Sequence, residues 1–278
     1  MTLCLPRQVT TWNSTSINLT QYLLRSYTSQ ILSASLTMSA NAPISVTYHL
    51  YTFFASSCAS RIRIAFHLKD IPLVSHYIDM QNDEHQSEAY RAINPSAAIP
   101  VLIVESVNED TKETSKFTLS QSVAILEYLE EAIPSQRPLL PPLTQPVDRA
   151  RVRELMYIVT SDIFPPTNSR ISGRVRKIRD SPDDKNDFVM KVLNEGFSAY
   201  ERLLERYSKG KKYSVSDDVT LADVCLMPQV EQARFYKLDF GIWPLLSGVI
   251  ENLENLDAFK KSGYEYQGDT PAKFRKEL

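Results

Sequence analysis

The sequence predicts an α/β domain followed by an all-α domain, and three observations carry that reading. Segments of alternating period and of helical period take turns across residues 45–133. Pro134, Pro138, Pro141, Pro142 and Pro146 then crowd the stretch 134–147, which reads as a linker rather than an element. Over 148–278 every long segment is helical in period and no alternating strand recurs.

Residues 1–44 come first and match neither pattern. The first forty contain fourteen Ser or Thr, two Arg and no acidic residue. Such a segment buries too little apolar surface to order itself, so it reads as a disordered extension. It also fits a mitochondrial transit peptide, and Met38 offers a third reading as the true start. Val46 to Phe53 then alternates and is rich in β-branched and aromatic residues, as a strand should be. Arg61 to Lys69 is amphipathic and ends near Asp70-Ile71-Pro72; Leu73 to Ile78 reads as a second strand. Glu84 to Ala92 forms a short helix stopped by Asn94-Pro95. Residues 99–104 make an apolar strand containing Pro100, and Lys116 to Leu119 its partner. The long polar connection Glu105 to Ser115 is expected to be a mobile hairpin loop. Ser120 is placed to cap a last helix carrying Val123, Leu126 and Leu129. This order, βαβ then α then ββα, resembles a thioredoxin-like domain, with Pro100 where that fold has a cis proline. In the helical half, Thr220 and Asp223 have the spacing of a capping box ahead of Val224, a structural device.

With 278 residues, 43% of them apolar, the chain can fill two cores. A formal net charge of −2 argues against a nucleic-acid partner. No apolar run reaches membrane-spanning length, so a soluble protein is expected. Cys4, Cys58 and Cys225 are too few and too scattered for a disulfide framework or a zinc site. That suits a reducing compartment, hence the cytoplasm, or the mitochondrion if the first 37 residues are a transit peptide. His49, His67, His76 and His85 show no pair at metal-ligand spacing, and no metal is expected. With only 7 Gly there is no phosphate-cradling loop.

The chemistry gathers at Ser56-Ser57-Cys58, which puts two hydroxyls and a thiol at the start of a helix. Such an end carries unpaired N–H groups and partial positive charge, and so favours a thiolate. Bringing a thiol from a pKa near 8.5 down by about two units takes roughly 2.7 kcal/mol. A helix end supplies up to ~2 kcal/mol, and a hydroxyl hydrogen bond to the anion about 1.5–3 kcal/mol. Together they suffice without a histidine or a metal.

Ser56-Ser57-Cys58-x-x-Arg61-x-Arg63-Ile64-Ala65 resembles the signature of the zeta-class glutathione transferases, the maleylacetoacetate isomerase family. The likeness continues in Asn94-Pro95-x-x-x-Ile99-Pro100-x-Leu102, in Gln121-Ser122-x-Ala124-Ile125-x-Glu127-Tyr128-Leu129-Glu130, and in Asp223-x-Cys225-Leu226-x-Pro228-Gln229-Val230. It covers about residues 45–278. The resemblance implies a glutathione-transferase helical domain after the linker and glutathione as cofactor. It implies a cis–trans isomerisation of maleylacetoacetate or a related maleyl compound, in phenylalanine and tyrosine breakdown. Glutathione's thiolate adds to the cis double bond, the resulting single bond rotates, and elimination returns the trans product. By the same resemblance Ser56 donates to the sulfur, with Ser57 and Cys58 lining the turn. Gln121 and Ser122 meet the γ-glutamyl end, Ile99 and Pro100 the cysteinyl part, and Arg61 and Arg234 the substrate. A homodimer is expected, with no nucleic-acid or membrane partner.

The chain departs from the family at several places. Ala97-Ala98 stands where a Lys-Gln pair is common, Ser60 replaces a Trp, and Ile163 to Asn168 lacks an expected glutamine. Arg234-Phe235 keeps a family dipeptide one residue out of phase with Gln229-Val230. These changes keep open a glutathione transferase that conjugates or dehalogenates other electrophiles. Cys58 could also form a mixed disulfide with glutathione. A binding module that merely kept the fold would be expected to lose the hydroxyl at Ser56, which is retained. Arg170, Arg174, Arg176, Lys177 and Arg179 form a basic cluster, either a solvated face or an attractor of anionic substrate.

Overall fold

In the computed structural model, residues 43–134 and 136–277 are described. The expectations for the N-terminal extension and for Met38 lie outside the described residues. Strand β1 (Ile44–Thr52) buries Tyr48, Leu50 and Thr52 on one face, as its alternation requires. Helix α1 (Ser57–Leu68) returns the chain so that β2 (Val74–Tyr77) pairs parallel to β1. The short helix α2 (Glu88–Ile93) leads to β3 (Val101–Asn108), antiparallel to β1, with Leu102 opposite Leu50. Strand β4 (Thr114–Ser120) completes a mixed sheet in the order β2-β1-β3-β4. Helix α3 (Ser122–Ala132) packs beside α1.

Two local readings change here. The expected loop from Glu105 to Ser115 is mostly ladder, because Glu105 pairs with Lys116 and Ser106 with Ser115 across the hairpin. A strand needs backbone partners rather than apolar side chains, and a Lys116–Glu105 ion pair of 2.6 Å joins the two strands. Ser120 remains in β4, opposite Val101, and does not cap α3. That place belongs to Gln121, whose φ of 75° turns the chain from strand into helix.

The linker is tied down by a buried ion pair that single-residue patterns do not reveal. Lys69 Nζ lies 2.8 Å from Glu130 Oε1. The ammonium also donates to the carbonyls of Gln136 at 3.0 Å and Arg137 at 3.3 Å. Glu130 Oε2 accepts from the amides of Leu139 and Leu140 at 2.9 and 3.0 Å. Helix α4 (Pro146–Tyr157) starts inside the stretch read as linker, with Pro146 in the first turn, where its missing N–H costs nothing.

After α4 the coil widens over Ile158–Ile163 before the short α5 (Phe164–Thr167). Pro165 and Pro166 cannot donate back to the preceding turn, which accounts for the loosened winding. Helices α6 (Ser169–Arg179) and α7 (Pro182–Tyr207) follow. Gly196 of α7 meets the wide turn closely enough that a Cβ would lie 2.2 Å from Ile163 Cγ1. Helix α8 (Leu221–Phe235) runs through the centre of the helical half. Its capping box is formed: Asp223 Oδ2 accepts from Thr220 N at 2.8 Å and Oδ1 from Ser214 N at 2.9 Å. Helices α9 (Pro244–Glu254) and α10 (Asp257–Ser262) bring the chain back against α1. One apolar core links the two halves, from Leu50, Phe66 and Leu126 to Leu155, Phe197 and Leu226. No helix among the described residues is long and apolar enough to cross a membrane.

Candidate functional site

The N-termini of α1 and α3 open onto one cleft of about 1110 Å³, closed on the far side by α4, α5, α6 and α8. Ser56, Ser57 and Cys58 all line it and are half-buried. Ser56 is the N-cap of α1, and its Oγ accepts from the Ala59 amide at 3.2 Å. A hydroxyl that accepts in this way keeps its own proton to donate elsewhere. The first turn of α1 holds no acidic residue, so the partial positive charge of the helix end is not cancelled locally.

Gln121 and Ser122 reach the same cleft from the start of α3, again with no acidic residue in the first turn. Behind them lies Arg61, which is 1% exposed. Its Nη1 donates to Ser122 Oγ at 3.1 Å and lies 3.7 Å from Cys58 Sγ, while the guanidinium stacks 4.9 Å over the Phe164 ring. Arg61 Nε and Nη2 have no hydrogen-bond partner among the described residues. Buried donors left in that state are costly, and a guanidinium offering them beside a helix N-terminus suits a carboxylate.

Ile99 lines the cleft, and the Ile99–Pro100 bond is cis; Pro100 itself is buried behind the lining. The Ala98 carbonyl accepts from Tyr90 Oη at 2.8 Å and from Asn94 Nδ2 at 2.7 Å, which pins this segment. Ala97 and Ala98 both line the cleft and bring no polar side chain to it.

Of the sequence-predicted site residues, Pro100 backs the cleft without lining it and Arg234 stands apart from it. Arg234 pairs with Glu254 at 2.5 Å and lines a neighbouring cavity of about 420 Å³, not the cleft. Phe235 lines the cleft instead. Successive helical residues diverge by about 100°, so a one-residue shift of phase exchanges the two side chains. From the basic cluster only Arg170 lines the cleft, and Arg179 pairs with Asp184 at 2.6 Å.

Three lining residues were given no site role by the sequence. His85 Nδ1 is buried and has no hydrogen-bond partner among the described residues. Arg63 is buried, which brings its guanidinium down to about 10. Glu231 borders both the cleft and the neighbouring cavity; burial, then the charge of Glu265, raises its carboxyl to about 7. Arg63 stands in the signature that opens at Ser56 but had no role of its own there, and His85 and Glu231 lie in no motif whose spacing announces chemistry. Among the described residues no group of three or more His, Cys, Asp or Glu is placed to hold a metal ion.

Comparison with known proteins bears on this cleft. The family model described as glutathione S-transferase, N-terminal domain, matches residues 55–132, and the corresponding C-terminal domain model matches 163–257. A maleylacetoacetate isomerase of Emericella nidulans is 42% identical over 239 residues, covering 86% of this chain and 100% of that protein. A solved holo maleylpyruvate isomerase, described as a bacterial zeta-class glutathione transferase, superposes with a TM-score of 0.70 at 36% identity, covering 80% of this chain and 100% of that one. A maleylacetoacetate isomerase of Anaeromyxobacter dehalogenans, solved with glutathione in its active site, gives 0.69 at 33% identity, covering 82% and 99%.

Proposed function

Because the chain belongs to the glutathione S-transferase family, in its zeta-class branch, we propose that it is a glutathione-dependent cis–trans isomerase of maleylacetoacetate or a related maleyl compound. One observation carries this: a serine hydroxyl with its acceptor side engaged by the Ala59 amide stands at the mouth of α1 with a proton to give. The cleft also fits glutathione, since Arg61 offers unsatisfied donors behind Ser122. When bound, glutathione supplies a thiolate that adds to the cis double bond and departs after rotation, so it is returned unchanged.

The protein's part is to hold and ionise. Ser56 donates a hydrogen bond to the ionised sulfur, and the N-terminus of α1 adds its partial positive charge. Ser57 and Cys58 shape the same turn. The amides opening α3 at Gln121 and Ser122, backed by Arg61, receive the γ-glutamyl carboxylate. The backbone at Ile99, ahead of Pro100, pairs with the cysteinyl part. His85, half-buried and with no partner for Nδ1 among the described residues, takes the glycyl carboxylate that Ala97 and Ala98 cannot reach. Arg170 at the cleft draws in an anionic substrate. The same reading divides the chain into a glutathione-binding domain over 45–133 and an all-helical domain over 148–278, working as a homodimer in the cytoplasm.

A transferase acting on other electrophiles is the second reading, and Phe235 favours it by giving the outer cleft an apolar wall where a cation was expected. The deciding experiment incubates the protein with glutathione and maleylacetoacetate while following product and free thiol together. Fumaryl product with glutathione conserved supports the isomerase. Stoichiometric thiol loss supports the transferase, and no turnover leaves a binding module.

A further inference from the structure

The turn that carries Ser56 is held from the far end of the chain. Phe54, two residues before Ser56, has both backbone polar groups taken by residues outside its own turn. Its amide donates to Asp269 Oδ2 at 2.8 Å, across 215 residues of sequence. Its carbonyl accepts from Arg63 Nη2 at 3.4 Å. The same guanidinium donates to Thr52 Oγ1 at 2.9 Å and, through Nη2, to the Ser262 carbonyl at 3.1 Å. Ser56 is then fixed within the turn by its own amide, which donates to the Phe53 carbonyl at 3.0 Å.

Asp269 is delivered by a segment with other anchors of its own. The Gly268 amide donates to Tyr77 Oη at 3.1 Å, an approach so close that a Cβ at Gly268 would lie 2.7 Å from that oxygen. Arg275 Nη2 donates to the carbonyls of Gly268 and Thr270 at 2.8 and 2.9 Å. Gln267 Nε2 donates to the Gly263 carbonyl at 2.7 Å. The segment is thus shaped from within by Arg275 and Gln267 and keeps its contact with β2 through Tyr77 when the Asp269 carboxylate is removed. What that carboxylate adds is one bond to a buried residue in the turn, where an unpaired amide would have to move to find water.

We propose that Asp269 is a positioning residue: it clamps the Phe53–Ser56 turn and so sets the aim of the Ser56 hydroxyl at the glutathione sulfur. This rests on the role given to Ser56 above. The clamp works as a hydrogen-bond acceptor, so a neutral isostere should retain it.

The test compares Asp269→Ala, Asp269→Asn and Tyr77→Phe with the wild type. The last removes an anchor of the same segment without touching Phe54. Hydrogen exchange in the ligand-free protein is read first. Asp269→Ala should speed exchange over residues 53–57, whereas Asp269→Asn and Tyr77→Phe should leave it near wild type. In the glutathione complex, titrating the thiolate absorbance should show a raised thiol pKa for Asp269→Ala only. Its kcat should fall roughly tenfold or more, as a misplaced group implies, with KM for glutathione little changed. Unchanged exchange in Asp269→Ala overturns the clamp. Faster exchange with an unmoved thiol pKa and kcat overturns the positioning role, and so does an equal loss in Tyr77→Phe. A wild type whose bound thiol titrates as it does in buffer overturns the Ser56 reading itself, and with it the role of Asp269. That failure is visible before any variant is made.

Discussion

Ser56→Ala separates the two tasks of one hydroxyl, because the cap and the sulfur contact have different consequences. The cap is the 3.2 Å bond from the Ala59 amide. Losing it costs about 1 kcal/mol of stability, a fall in Tm of roughly 2–4 °C for a chain of this size. The contact with the sulfur, worth about 1.5–3 kcal/mol, corresponds to one to two pKa units. If the bound thiol titrates about two units below its ordinary 8.5, the variant returns it to about 8. At pH 7 the thiolate fraction then drops from roughly three quarters to roughly one tenth. The assay is a pH series of kcat beside the thiolate absorbance of the glutathione complex. The wild type should plateau near neutral pH, while the variant should climb and approach it near pH 9. A variant that forms full thiolate at pH 9 and still turns over poorly would refute the reasoning, because the hydroxyl would then act otherwise than through ionisation.

Glu231→Gln tests the raised carboxyl. The native group keeps its proton to about pH 7 while the unfolded chain releases it near 4.5, so its contribution to stability is present below 4.5 and is lost as pH rises through 7. The wild type should lose about 2 kcal/mol relative to Glu231→Gln between pH 5 and 8, and an equal Tm gap at both values would count against it. Lys69→Met leaves Glu130 buried beside the linker and should cost about 3–5 kcal/mol in denaturant unfolding; a loss below 1 kcal/mol would mean that solvent already reaches the pair. Arg234→Ala should leave kcat/KM for a maleyl dianion unchanged. Phe235→Arg should instead lower the KM for that dianion roughly tenfold or more through a new charge-assisted bond, and a flat response would show that the Phe235 wall does not touch the substrate.

The fold was legible wherever period and punctuation agree. β1, α1 and the capping box of Thr220 and Asp223 each announce themselves within a few residues, through alternation, an N-cap serine or a reciprocal cap. The extension of β3 and β4 was not legible, because Glu105, Ser106, Ser115 and Lys116 pair through backbone and charge and show no apolar alternation. Gln121 escaped for a related reason: a left-handed residue between strand and helix need not be glycine, and Ser120 looked the better cap. At the site, Ser56, Ser122 and Arg61 converge because each sits near the start of α1 or α3. Lys69 with Glu130, and Phe54 with Asp269, are single partners joined only by the fold, and no local pattern records them.

The outer cleft turns on one residue of helical phase. Arg234 pairs its charge with Glu254 beside the neighbouring cavity, and Phe235 lines the cleft proposed to take the substrate. With Arg61 assigned to the γ-glutamyl carboxylate, the residue of the basic cluster left at the cleft to meet a dianion is Arg170. Isomerisation by rotation requires one arm of the substrate to be held while the other swings. Each charge-assisted bond to the moving arm adds about 1.5–3 kcal/mol that must be given up before it turns. A smooth aromatic wall makes no such bond, so Phe235 weakens capture of a second carboxylate while leaving the rotation unhindered. The same wall admits an apolar electrophile that an arginine would repel by its own desolvation. The isomerase and transferase readings therefore share one ionised sulfur and part only at the side chain facing it from α8.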